Sequence, residues 1–319
     1  MSIDEVEFHR EIGRSHKGMS VLEFLDAVTG PVDRSSVRQA SLDQALFLNG
    51  EVVSPSTTLR VGDIVELTVT PTSLIRDNRE AIAILHEKAD LVVASKPSGL
   101  AFDASRRGGS NTLDLLAEHL KQTEGSSQRP RPVHRLDKDT SGVVVAALGS
   151  AAEQKLLEAF RSSEAAVEYL ALVRSAVKDE EGEISIPLRK KERSDAFLVP
   201  DPSRGTPCST TYRVKERLRG YSILLATPRG GRSHQVRAHL AAIGHPIVCD
   251  ALYKEDDRLL LSQLKLNYKH KRGRPEKPLL ARPALHAWVF RMPEVEVTAP
   301  IPTDLDVALQ QLRRLRPPT

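Results

Sequence analysis

The stretch His134-Arg135-Leu136-Asp137-Lys138-Asp139-Thr140-Ser141-Gly142 constrains this chain more than any other. It packs an imidazole, a guanidinium and two carboxylates beside a Thr-Ser-Gly turn, then runs into the apolar residues 143–148. That run has the length and composition of a buried strand. Charges at the mouth of a buried strand are costly to desolvate unless they are paired. Such a cluster is therefore either a structural ion-pair knot or a reaction centre, and periodicity alone leaves the two level.

The 319 residues suggest about two domains, one of them large enough for a sizeable core. Hydrophobic residues make up 40% and charged residues 28%, an ordinary globular composition that excludes a disordered or fibrous chain. The net charge is only +4, but residues 129–135, 229–237 and 265–277 are locally basic, as a phosphate backbone crossing one face would require. The two cysteines, Cys208 and Cys249, show neither a pairing pattern nor metal-ligand spacing. The acidic residues 1–7 lack the apolar segment of a leader, and no apolar run approaches the ~20 residues of a membrane span. The expected compartment is the cytoplasm.

Residues 17–70 form a small module in this reading. A helical face at Val21, Leu22, Phe24, Leu25 and Val28 precedes a basic turn at Arg34 that opens a second helix carrying Arg38. Strand, Asn49-Gly50 turn and strand follow over 46–53, then a Gly62-Asp63 turn and a strand over 64–69. Residues 71–79 read as a linker and 80–319 as the large domain. There, strands are expected over 82–86, 91–95, 143–148, 169–173, 221–225 and 287–290, with helices over 112–122, 151–160 and 233–243. A flexible loop is expected at 124–128. Strands in runs with few intervening helices predict an α+β fold with a mixed, mostly antiparallel sheet.

Several local patterns invite chemistry and fail. His234 and His239 are five residues apart with no acid between them, which is wrong for one metal-binding helical face. No metal site is expected. His134-Arg135-Leu136-Asp137 matches a kinase catalytic loop, but no glycine-rich phosphate loop or Asp-Phe-Gly accompanies it, and no Gly-x-Ser-x-Gly elbow occurs. Arg272-Gly273-Arg274-Pro275 looks like a minor-groove hook but stands alone, so it reads as a solvated basic loop. Gly230-Gly231 ahead of Arg232 suits close backbone approach to an anion, with the guanidinium free to fork onto a carboxylate.

Taken in order, these blocks resemble the RluA-type pseudouridine synthases over most of residues 80–295. His134 to Gly142 is similar to the family's His-Arg-Leu-Asp-x-x-Thr-Ser-Gly signature, and Lys96-Pro97-Ser98-Gly99 to its Lys-Pro-x-Gly turn. Tyr169-Leu170-Ala171 resembles its Tyr-Leu-Ala strand. Residues 231–239 and 244–253 resemble its third block, and Leu285-His286-Ala287 closes the set. Residues 17–70 resemble the α-L RNA-binding module carried by many members, except that the glycine usual before the strand is Gln44. Two further departures are Val167, where the family has lysine, and Gly230 in place of threonine.

The resemblance implies isomerisation of uridine within structured ribosomal or transfer RNA, with no cofactor, by a monomeric enzyme. It makes Asp137 the reactive carboxylate, whether by ester formation at ribose carbon 1, addition at base carbon 6 or proton abstraction to a glycal. Arg232 is the guanidinium expected to keep Asp137 ionised, and Tyr169 the residue stacking on uracil. Arg135 would fill the stack vacated by the flipped base. His134, His234, Gln235 and Arg237 join it in binding RNA, Leu285 floors the pocket, and Arg34 and Arg38 contribute from the small module. A non-catalytic RNA-binding factor on the same scaffold is the competing class, and the intact trio Asp137, Tyr169 and Arg232 argues against it.

Overall fold

A computed structural model describes residues 8–29, 32, 34–68, 82–88, 90–103, 111–124, 129–191, 197–254, 258–265, 268, 276 and 278–314. The chain divides into two compact units between Asn78 and Arg79. The linker at 71–79, most of the loop at 124–128 and the basic hook at 272–275 lie outside the described residues. Among the described residues no helix is long and apolar enough to cross a membrane.

In the first unit, helices α1 (Val21–Thr29) and α2 (Arg34–Leu42) accompany a four-stranded sheet ordered β1-β4-β2-β3. Its strands are β1 (Phe8–Glu11), β2 (Leu46–Leu48), β3 (Glu51–Val52) and β4 (Ile64–Leu67), so the sheet reaches back beyond residue 17. Ser20 and Glu23 form a capping box at the start of α1, each side chain accepting from the other's backbone amide at 3.2 and 2.8 Å. The Asn49-Gly50 turn has positive φ at both residues, the geometry of a hairpin turn. The Asn49 side chain also donates to Asp63 at 3.0 Å and accepts from the Ile64 amide at 2.8 Å, locking the two turns together. Gln44 adopts φ 57°, a left-handed conformation that glycine would take at no steric cost.

The second unit is built on a ten-stranded sheet. Its main path is β10 (Glu181–Ile184), β13 (Ser209–Leu218), β14 (Tyr221–Arg229), β9 (Ala166–Arg174), β15 (Leu285–Met292), β8 (Ser141–Ala147), β6 (Leu91–Lys96) and β5 (Ala83–Lys88). Strands β16 (Val295–Thr298) and β7 (Arg131–Pro132) attach to β15 and β8. Every pairing is antiparallel except β15 with β8. Helices α3 (Thr112–Glu124), α4 (Ser150–Ser162), α5 (Gln235–Ala242), the short α6 (Leu261–Leu264) and α7 (Thr303–Arg314) complete it. A separate hairpin of β11 (Leu188–Lys190) and β12 (Leu198–Pro200) packs Leu188 and Leu198 against Ala238 of α5.

All seven residues of β8 are buried, which is why 143–147 is continuously apolar rather than alternating. Its parallel joint with β15 is short: Ser141 lies opposite His286 and Gly142 opposite Ala287. Gly142 has φ 116°, and a Cβ there would fall onto the Ala287 backbone. Ser141 is hydrogen-bonded to the buried His286 ring at 2.9 Å. Beyond the joint β15 no longer pairs with β8, and β7 resumes pairing only at Ala146. Between them the Val145 amide donates to His134 Nε2 at 2.9 Å. The His134 ring therefore closes a gap in a strand ladder, between Phe102 and Phe160, while it also lines the cavity described below.

The expected helices and strands of this unit occur close to their predicted places, while β10, β13, β16, the β11–β12 hairpin and α7 were not anticipated. The amphipathic signal of α7 was present, since Leu305, Ala308, Leu309 and Leu312 are the residues it buries. Strand β13 mixes charged and apolar residues with only partial burial, so its period is weak.

Two outcomes test this framework. Gly142→Ala is expected to cost about 3 kcal/mol or more, through strain and collision. Thermal unfolding should then show a midpoint lowered by roughly 6–12 °C. Burial holds both His134 and His286 near a pKa of about 4, whereas the unfolded chain takes up those protons near 6.5. Between these values the unfolded state binds more protons, so stability should fall as pH drops from 6.5 to 4. Urea midpoints that stay flat across that window would contradict the two buried neutral rings.

Candidate active site

Asp137 lies in the loop that delivers the chain into β8, and the loop is held by its backbone. The Lys96 ammonium, fully buried at the end of β6, donates at 2.9 Å to each of the carbonyls of Pro97, Leu100 and Lys138. The Gly99 amide also donates to the Lys138 carbonyl, at 2.8 Å, and Ser98 Oγ donates to the Asp139 carbonyl at 3.0 Å. The Lys-Pro-x-Gly turn thus staples the loop carrying the aspartate. Thr140 completes a turn with its amide donating to the Asp137 carbonyl at 3.1 Å.

The Asp137 side chain is only 14% exposed and meets Arg237 of α5, whose Nη1 donates to Oδ2 at 3.0 Å. The other edge of the same guanidinium forks onto fully buried Asp250, with Nε and Nη2 each donating at 2.7 Å. Burial works against the Arg237 charge, but the hydrogen bonds and charge of Asp250, followed by Asp137, outweigh it and hold it firmly protonated. Tyr253 packs its ring 5.4 Å from this guanidinium and accepts from the Leu198 amide at 3.1 Å. Burial pushes its hydroxyl up to about 12.

One guanidinium between two carboxylates leaves one unit of negative charge uncompensated. Asp250 takes the fork, so Asp137 receives a single strong donor and keeps Oδ1 available. His234, one turn before Arg237, brings Nε2 to 3.6 Å from that oxygen. On β9, Tyr169 lies opposite Ala226 on one side and Ala287 on the other. Burial and the Asp137 charge both raise its pKa, so it stays a neutral phenol. Together Asp137, Tyr169, Leu285 and His234 line a cavity of about 760 Å³, within the range of small-molecule sites. Arg135, Arg161, Arg229 and Arg232 also line it, and all four are exposed or nearly so.

Two assignments change. Arg237, expected to bind RNA, is the guanidinium that partners Asp137. Arg232, expected in that role, is exposed ahead of the helix, and its amide donates to Gln235 at 3.0 Å. The reason is helical phase: residues 234 and 237 share the face turned to Asp137, while 232 lies before the first turn. Gln235 is buried and spends its amide on the carbonyls of Ser209 and Arg229, so it pins the turn. His134 is the ladder tie described above. Arg135 is exposed and only loosely paired with Asp103 at 3.7 Å. In the first unit Arg38 is exposed, while the Arg34 side chain lies outside what is described.

Lys96, Asp250 and Tyr253 fall within the blocks that carry the family resemblance, but the sequence assigns none of them a role. A lysine closing an apolar run was a usable sign that its ammonium is engaged inside. Nothing local to Asp250 announced that it anchors a residue thirteen positions earlier.

A family model for RNA pseudouridylate synthase matches residues 90–242. An uncharacterized RNA pseudouridine synthase of Aquifex aeolicus is 35% identical over 240 residues, covering 72% of this chain and 75% of the relative. Ribosomal large subunit pseudouridine synthase D of Xylella fastidiosa is 32% identical over 277 residues, covering 84% and 81%. Among solved structures, human RNA pseudouridylate synthase domain containing 4 superposes with a TM-score of 0.58 at 26% identity, covering 72% of this chain and 93% of that one. A mixed sheet with a carboxylate held at its central joint, together with these matches, defines an isomerase that rearranges uridine in RNA. The chain belongs to the RluA-type family of RNA pseudouridine synthases.

Removing Asp250 leaves Arg237 buried with half its partners gone. Asp250→Ala should cost about 3–5 kcal/mol in urea unfolding, as for other broken buried pairs. A loss under 1 kcal/mol would mean that the fork does not hold the guanidinium.

Proposed function

We propose that this enzyme isomerises one or a few uridines of ribosomal RNA, with Asp137 as the carboxylate that acts on the target nucleoside. The substrate class follows the names of its relatives, ribosomal large subunit pseudouridine synthases D and C. The carrying observation for the residue is the sharing of Arg237 between Asp250 and Asp137. It gives Asp137 a charged donor on Oδ2 in a largely buried site, yet leaves Oδ1 clear.

The reaction breaks the bond from N1 to ribose C1′ and makes one from C5 to C1′. A proton leaves C5 and one is gained at N1, so atoms and charge balance without a redox partner. Tyr169 offers a neutral aromatic face for the uracil, with Leu285 beneath it as the pocket floor. Flipping the nucleotide costs a few kcal/mol, and exposed Arg135, whose ion pair among the described residues is a long contact to Asp103, can enter the vacated stack. Arg229 and Arg232 at the mouth suit the flanking phosphates. The first unit, with Arg34 and exposed Arg38 on α2, serves as an RNA-binding module. The enzyme acts as a monomer, without a cofactor, in the cytoplasm. Cys208 and Cys249 are not joined in a disulfide, which fits a reducing compartment.

The test is Asp137→Asn. Chemical mapping of cellular RNA should show the same ribosomal pseudouridines missing from this variant as from cells lacking the gene. The purified variant should still bind RNA while its turnover drops on the order of 10⁴-fold or more. Gene-dependent sites found only in transfer RNA would overturn the substrate assignment, and an active Asn variant the role of Asp137.

A further inference from the structure

His234 carries three features that the role of an RNA contact leaves unexplained. Its backbone, just ahead of α5, sits in the left-handed region with φ 56°, a conformation that persists in a non-glycine residue only when the surroundings enforce it. Its Nε2 faces Asp137 Oδ1, the oxygen that Arg237 leaves clear. Its Nδ1 is buried without a partner. The ring is fixed edge-on against Tyr253, centroids 6.1 Å apart.

The protonation state follows from the surroundings. Asp137 and Arg135 face the ring from the loop ahead of β8, Arg237 from α5, and Asp250 from the loop after α5. Burial is the largest influence and disfavours the imidazolium; Asp137 opposes it, while Arg237 adds to it. The net pKa falls below 6.5, so the ring is neutral at physiological pH and holds one proton. A proton on Nδ1 would face nothing, whereas on Nε2 it faces a carboxylate oxygen. The Nε2–H tautomer is therefore favoured.

We infer that His234 is a positioning residue for Asp137, its Nε2–H closing onto Oδ1 when RNA fills the site. The inference rests on the reading of Asp137 as the reactive carboxylate. At 3.6 Å the contact is too long for a hydrogen bond, and such contacts tighten when substrate binds. Arg237 and His234 then hold one oxygen each, fixing the rotation of the carboxylate and aiming its remaining lone pairs. Protonating His234 would set a second cation on the same carboxylate and damp its reactivity. Activity should accordingly be present above the lowered pKa of His234 and decline as pH falls through it.

The experiment compares the full-length wild type with His234→Asn and His234→Gln on an RNA that the wild type modifies. Asparagine tolerates the left-handed backbone but falls short of Asp137, while glutamine carries an amide donor to about the position of Nε2. His234→Asn should lower kcat roughly ten- to hundredfold, the worth of a hydrogen bond to a charged group. Its KM and melting temperature should match the wild type. His234→Gln should recover most of kcat, and its acid limb should shift to lower pH. A wild-type kcat in the Asn variant, a rise in KM in its place, or equal losses of kcat and melting temperature in both variants would each overturn the inference. A wild type that forms no pseudouridine in any RNA would instead defeat the reading of Asp137 itself.

Discussion

The second unit is organised around a guanidinium that has been taken out of water. Burying Arg237 costs several kcal/mol before any partner is counted, and two carboxylates have to be brought to it. They arrive from opposite directions in sequence, Asp137 one hundred residues earlier and Asp250 thirteen later. Asp250, taking two short bonds and fully buried, is the partner that makes the burial tolerable. Asp137 is then left with one edge of the cation, a single donor that cannot occupy both its oxygens. Geometry alone distinguishes two chemically identical side chains, one with both oxygens held by the guanidinium and one with Oδ1 left clear of it.

For that division to hold, the loop of Asp137 and the start of α5 must keep their separation, and the sheet supplies the ruler. Strand β15 lies parallel to β8 and antiparallel to β9, placing Leu285, Tyr169 and the Asp137 loop around one point. The parallel contact spans only two residue pairs, and the close approach at Gly142 requires the absence of a side chain. His134 and His286, both neutral, satisfy polar groups around this junction. Two of the chain's ten histidines therefore serve the joint.

Much of this was legible beforehand because the relevant signals are local. The cluster at 134–142, the buried run after it and the tyrosine strand each declare themselves within about ten residues, and the family resemblance rests on such blocks. Long-range pairings were not legible. Arg232 and Arg237 both stand beside a glycine-rich turn, and only the phase of α5 tells which one meets Asp137. The backbone ties of Gln235 and His134 do not show in a string of letters, because their partners lie in other strands. Asp250 falls in a block of the resemblance, yet its role was hidden because that role depends wholly on Arg237.

The staple made by Lys96 has a further consequence. It grips the loop through main-chain carbonyls, and Ser98 and Gly99 do likewise. Every amino acid offers the same carbonyl, so the grip is indifferent to the side chains it passes. Lys138 and Asp139, both exposed, can consequently drift in sequence or carry a chemical label. The aspartate one position away stays registered against Arg237 throughout.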